Sequence, residues 1–291
     1  MNWEHWKARA GRLKAQAGQK IGRAGKIRLP GGLQTAAETL AVAFGMFSAV
    51  PAPQPAWNEK NMRYALCAFP LVGAAVALAF GAWGWAAAAL DLPVLLRAAG
   101  FCLLPVWITG GIHLDGYADT CDALASCAPP EKKREILQDP RCGAFAVIRL
   151  CAWFLADFAL WAAVRWDTKA LGAMALAFVL ERCLSGLAIA SFPLAKDTGL
   201  AHTFAAASDK KRVRGILGAA SAALALGLAL WGGIAGVAMV LAAGLALWRY
   251  YQVAKKQFGG ITGDLAGWFL QRAELWMLAA LAAVQLMEGR I

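Results

Sequence analysis

"FCLLPVWITGGIHLDGYADTCDALAS" runs from Phe101 to Ser126. Its first nine residues are apolar enough to lie in a bilayer, and the run ends at Gly110-Gly111. Asp115, Asp119 and Asp122 then follow within eight residues. Carboxylates crowded together disfavour one another's ionised form, so something positive must hold them. At about 100° per residue, the spacing i, i+4, i+7 places all three within a roughly 60° arc of one helix face. Hard oxygen donors with no Cys or His pair beside them suit Mg²⁺ or Mn²⁺. Gly116, inside the cluster, is expected to let a substrate phosphate approach the backbone. A solvated acidic helix start, complementing the helix dipole, is the plainer alternative. Three carboxylates on one face, at a membrane exit and ahead of a basic cluster, favour the metal.

The composition explains the setting. Of 291 residues, 60% are hydrophobic and 16% charged, with 13 tryptophans. Soluble domains average about 25% charged residues. Spanning helices need roughly 20 mostly apolar residues. Such runs fall at Tyr64–Leu90, Pro93–Thr109, Gly143–Val164, Leu171–Ala190, Ile216–Trp231, Ile234–Trp248 and Leu265–Met287. Leu33–Val50 is weaker, since it contains Glu38 and stops at the Pro51/Pro53 pair. The runs are long, rich in Ala and Leu and do not alternate, which excludes a membrane β-barrel. The expected fold is all-α: a polytopic integral membrane helix bundle with about seven spanning helices. A re-entrant or interfacial N-terminal helix is added at Leu33–Val50.

Long polar connections at Gly110–Cys142, Ser191–Arg214 and Arg249–Asp264 alternate with short ones. Successive long loops are separated by two spans, so parity puts all three on one face. They carry most of the basic residues outside the N-terminal tail, and the positive-inside tendency makes that face cytoplasmic. The net charge is +11, and the first 28 residues hold eight Lys or Arg against Glu4 alone. Residues 1–32 therefore read as a basic cytoplasmic tail that binds anionic lipid rather than nucleic acid. Residues 33–291 read as a single membrane-embedded domain in a cytoplasmic (inner) membrane, a bundle open to oligomerisation. The seven cysteines form no CxxC pair, and several lie inside apolar runs. They read as small buried hydrophobes.

The chemistry gathers on the predicted cytoplasmic face. Carboxylates, a metal and nearby cations are what phosphate-group transfer requires. Lys132, Lys133 and Arg134 follow the aspartates, but they serve equally well as a positive-inside flank. Arg141, between Pro140 and a span, is the better phosphate ligand. Lys196 lies in the second loop. In the third, "GGITGDLAG" brings Gly263 and Asp264, with glycines that suit a loop wrapped around a ligand. Within the spans, Glu38, Arg97, Arg149, Asp157, Glu181 and Arg182 must face a cavity or pair with one another. Glu181 and Arg182, adjacent on a helix, are expected to point apart. Arg182, about two turns from the cytoplasmic end, is expected to line a substrate pocket or to make a structural pair.

At these residues the chain resembles the cobalamin synthase (adenosylcobinamide-GDP ribazoletransferase) family. The segments, in order, are "FPLVG" (69–73), "GGIHLDGYADTCDAL" (110–124), "EILQDPRCGAFAV" (135–147) and "GGITGDLAG" (259–267). The resemblance covers roughly Leu33–Glu288. It departs at Gln271, where family members often carry an acid, and at Lys196, where an arginine is common. It implies Mg²⁺-dependent transfer of cobinamide phosphate from adenosylcobinamide-GDP to α-ribazole or its 5′-phosphate, with GMP released. Residues 33–291 would then be the transferase domain. Asp115, Asp119 and Asp122 would hold Mg²⁺, and Asp264 would act as a further metal ligand or as base. Arg141 and Lys196 would hold phosphate oxygens. Asp139 and Gly143 complete the family's Asp-Arg-Gly element. His113 is weighed as a base and as a helix-flanking group beside the substrate. A CDP-alcohol phosphotransferase ranks second: it also places aspartates at helix ends on a membrane face. A cation transporter would fit the ionisable residues inside spans, and a structural membrane subunit would leave the aspartates unexplained.

Overall fold

The computed structural model describes residues 31–289. Among these residues the chain is helical, with no sheet and a single isolated β-bridge. The helices are α1 (Gly31–Phe47), α2 (Glu59–Met62), α3 (Ala65–Ala89), α4 (Val94–Thr109), α5 (Ile112–Ala125) and α6 (Pro130–Ile136). Then come α7 (Ala144–Ala163), α8 (Thr168–Ser191), α9 (Leu200–Ala207), α10 (Lys210–Gly232), α11 (Ile234–Val253) and α12 (Gly263–Met287). A π-helical turn, Ala254–Phe258, extends α11. The basic tail lies outside the described residues, except for Gly31 and Gly32.

Local signals set the boundaries. Asn58 and Asn61 form a reciprocal capping box at α2. The side chains of Asp167, Asp209 and Thr262 accept backbone N–H groups at the starts of α8, α10 and α12. Each takes up a donor that the first helical turn leaves without a partner.

Five helices are long and apolar enough to cross a membrane: α3, α7, α8, α10 and α11 with its π turn. The count rises to six if α4 and α5 make one broken span. Seven were expected, and two of the seven differ. α4 has only 16 residues. The chain then turns by 94° into α5 through Gly110 and Gly111, both in the left-handed region, at φ +66° and +76°. The second difference is α12. It has 25 residues but is not apolar enough to meet the same measure, because it carries Gln271, Arg272 and Glu274 mid-helix. It does not need to be: α12 packs on α5, α7, α8 and α11, and most of its residues face protein rather than lipid.

α8 is the other inner helix, against α3, α10 and α12, with 72% of its apolar window buried. The corresponding share is 22% for α7 and for α10, whose outer faces show Leu155, Leu226 and Leu230. At the core, Phe80, Phe101, Trp161, Trp166 and Phe178 pack ring on ring, with Phe80 and Phe101 centroids 4.4 Å apart. α1 has 17 residues, about 25 Å of helix, which falls short of a bilayer's roughly 30 Å hydrocarbon core. It stops before Pro51 and packs on α2 and α3.

Candidate active site

The three long loops meet. Leu194 and Ile261 pair as a parallel bridge, with Ala195 N–H donating to Ile261 O (3.0 Å) and Ile261 N–H to Pro193 O (2.8 Å). This ties the second loop to the third. Gly260 makes it feasible, because a Cβ there would lie 2.4 Å from the Leu194 carbonyl carbon. The first loop is tied to the third through α6. Arg134 donates to Phe258 O (2.8 Å), and the buried Lys133 ammonium donates to Gln257 Oε1. Lys133 and Arg134 thus brace the π turn.

α5 carries the aspartates against the start of α12, at a spacing only glycine permits. A Cβ on Gly116 would lie 2.7 Å from Asp264 O, and one on Gly267 would lie 2.8 Å from His113 O. Each helix therefore rests on the other's backbone. The contact corrects the expectation for Gly116: the space above it is filled by α12 and takes no substrate. It also sets Asp264 beside Asp115, near enough to repel it, while Lys196 from the second loop attracts Asp264. Gly263, by contrast, has open space where a side chain would stand.

Asp115 is exposed, and Asp119 and Asp122 are half-buried, facing the first loop as it returns. Gly143 closes on Asp122: a Cβ there would lie 2.1 Å from Oδ2. Burial, followed by the charges of Asp119, Asp122 and Asp115, pushes the Cys142 thiol above its ordinary range. Arg141 makes a two-pronged pair with Asp139, Nη2–Oδ2 2.7 Å and Nε–Oδ1 2.9 Å. That pair holds the Asp139 carboxyl down at about 2. The Arg141 side chain is 87% exposed. Asp122, Asp139, Arg141, Cys142 and Gly143 line a cleft of about 340 Å³ together with Ser126, Ile136 and Phe145. Among the described residues, no three His, Cys, Asp or Glu side chains are drawn close enough to hold a metal unaided. Along α5, Asp115 and Asp122 are separated by about 10 Å of helix.

Two expected site residues lie elsewhere. Arg182 is 1% exposed and does not line an open pocket. Its Nη1 donates to Phe178 O (2.8 Å) and to Glu181 Oε1 (2.6 Å), so the neighbours expected to diverge form a buried pair. A long guanidinium can fold back along its own helix, which Cβ directions alone do not reveal. His113 is buried edge-on to Phe69, 5.9 Å between centroids. Two residues from Asp115 is about 200° around the helix, so His113 faces the core and not the cleft. Sequence reading missed the brace formed by Lys133, Arg134 and the π turn. No local signal in the sequence shows it, since Lys133 and Arg134 each lie 124 residues from their partners in the π turn.

Comparison with known proteins identifies the family. The family model for CobS, cobalamin-5-phosphate synthase, matches residues 39–282. A protein of Lachnoclostridium phytofermentans described as adenosylcobinamide-GDP ribazoletransferase is 41% identical over 253 residues, 87% of this chain and 95% of that one. Proteins of the same description from Geobacillus kaustophilus (31% identical, 81% of this chain and 92% of that one) and Clostridium botulinum strain Alaska E43 (28%, 81% and 93%) also match. No solved structure matches. With α5, the Asp139–Gly143 turn and the start of α12 all inside the matched region, the chain belongs to the cobalamin-5-phosphate synthase family.

Proposed function

We propose that the chain transfers cobinamide phosphate from adenosylcobinamide-GDP to α-ribazole, or its 5′-phosphate, at the cytoplasmic face of the inner membrane, releasing GMP. The observation that supports this best is the meeting of three loops at α5, where Asp264 and Lys196 lie by Asp115 at one end and Asp139 and Arg141 share a cleft with Asp122 at the other.

The donor set fits Mg²⁺. That ion is usually held by one or two carboxylates, with waters and substrate phosphates completing its shell. Asp115, Asp119 and Asp122, strung along one helix face, offer one or two carboxylates at a time to a bound diphosphate. When bound, Mg²⁺ would offset charge on the diphosphate oxygens.

The chain's own residues do the rest. Arg141, steadied by Asp139, and Lys196 hold non-bridging oxygens and orient the cobinamide-side phosphorus. A ribose hydroxyl oxygen of the acceptor forms the new P–O bond. The P–O bond to the GMP phosphate breaks, and GMP leaves with the electron pair. Asp264, half-buried at the mouth of α12, takes the hydroxyl proton. Gly143 keeps Asp122 against the cleft wall, and Gly263 leaves room at the helix start. His113, Gly116 and Arg182 serve the fold behind the site.

The test is GMP release from membranes containing the chain, given adenosylcobinamide-GDP with and without α-ribazole and Mg²⁺. Release that needs both supports the reading. Release from CDP-alcohol donors instead would overturn it.

A further inference from the structure

Arg149 of α7 and Arg249 of α11 lie within electrostatic reach of a third arginine, Arg272 of α12. Arg272 of α12 lies between the rings of Trp268 and Trp276, its guanidinium carbon 4.7 and 4.6 Å from their centroids. Its Nε is buried without a hydrogen-bond partner. Arg149 of α7 and Arg249 of α11 both act on it electrostatically, and they repel it. None of the three has an ion pair with a carboxylate among the described residues. The stacked rings take part of the charge on Arg272. They do nothing for Arg149 and Arg249.

Their depth identifies the counter-ion. Arg149 lies five residues past the start of α7, Arg249 nine before the end of the π turn that extends α11 and Arg272 nine past the start of α12. These are about 8, 13 and 14 Å from helix ends that all face the active-site loops. Their surroundings are apolar and outward-facing: Phe145 and Ile148 beside Arg149, Leu245 and Trp248 beside Arg249, all more than half exposed. A soluble anion would have to enter past lipid. Phospholipid phosphates lie toward these ends of the spans, and arginine reaches them by extending along the helix.

We propose that Arg149, Arg249 and Arg272 form a binding site for the phosphate of an anionic phospholipid, separate from the substrate cleft. Tyr117 and Cys121 of α5 also act on Arg272, so the site borders the back of the helix whose front carries the aspartates. The ligand is therefore a structural lipid for the catalytic helix.

The test is native mass spectrometry of the full chain released from nanodiscs of phosphatidylcholine doped with phosphatidylglycerol. The wild type is expected to retain phosphatidylglycerol in preference to phosphatidylcholine. Arg149→Gln/Arg249→Gln should lose about thirty-fold in that preference, since each basic residue near the surface is worth about a factor of five. Arg149→Lys/Arg249→Lys should restore most of it. Equal retention of the two lipids by the wild type would overturn the proposal whether or not any variant folds. So would displacement of the lipid by millimolar inorganic phosphate, which would mark a soluble-anion site.

Discussion

At the scale of single residues, the proposed site depends on carboxylates held in fixed directions. Asp115→Asn removes a charge and an oxygen donor from the exposed end of the cluster. GMP release is expected to fall by about 10²-fold or more, the usual loss when one preorganised electrostatic contact is removed, with insertion in the membrane unchanged. Gly143→Ala tests the wall of the cleft. Its new methyl would overlap the Asp122 carboxylate. A displacement of about 1 Å at that point is expected to lower kcat by up to about 10²-fold, and wild-type kcat in this variant would remove Gly143 from the account. Asp139 makes a prediction about pH. Arg141 depresses its folded value to about 2 from 3.8, so the pair is fully present above pH 3.8 and is lost only as pH falls through about 2. Between pH 5 and 9, Asp139→Asn should therefore raise KM while leaving the shape of the pH–rate profile unchanged. The aspartates could be read from sequence because their geometry is local, three positions on one helical period. Gly116 was misread because its partner, Asp264, arrives from the far end of the fold, and no local spacing encodes it.

At the scale of elements, hydropathy found the long unbroken spans, the buried α8 among them, and misjudged α4 and α12. α7, α10 and α11 present Leu, Ile, Val and Trp outward, and their runs were plain in the sequence. α4 and α5 were separated at the right glycines. That those two positive-φ residues turn the chain through a near right angle is a property of the tertiary packing. The pair Glu181–Arg182 shows the same limit. It lies on the most buried of the candidate spans, where two charges persist only as partners. Arg182→Met leaves Glu181 without its cation. A loss of about 3–5 kcal/mol is expected, seen as a lower midpoint of thermal unfolding in detergent. An unchanged midpoint would mean that the pair is not what keeps α8 in place.

At the scale of the whole molecule, the bridge between Leu194 and Ile261 and the brace of α6 on the π turn require the three long loops to share one side of the membrane. Loop parity gave the same answer from sequence. In the proposed orientation, the positive charge of these loops puts that side in the cytoplasm. Cys127 and Cys142 are exposed there. A membrane-impermeant thiol reagent should label them in inverted vesicles and not in intact spheroplasts. A Lys169→Cys variant in a Cys127→Ser/Cys142→Ser background, at the start of α8 on the opposite side, should show the reverse. Labelling of Cys142 from outside would invert the orientation.

The polar middle of α12 has a consequence for how the enzyme is made. Each charged residue at a helix centre costs a translocon-inserted segment about 2.5–3.5 kcal/mol, and α12 brings Arg272 and Glu274 together. Such a segment partitions poorly by itself and is drawn in by helices already in place. All four of its partners, α5, α7, α8 and α11, precede it in the chain. Asp264 stands at its head, so this acid arrives beside Asp115 only when the bundle is ready to receive α12. In the proposed reaction, where Asp264 takes the hydroxyl proton, a half-inserted chain would have no base with which to spend its nucleotide-activated substrate.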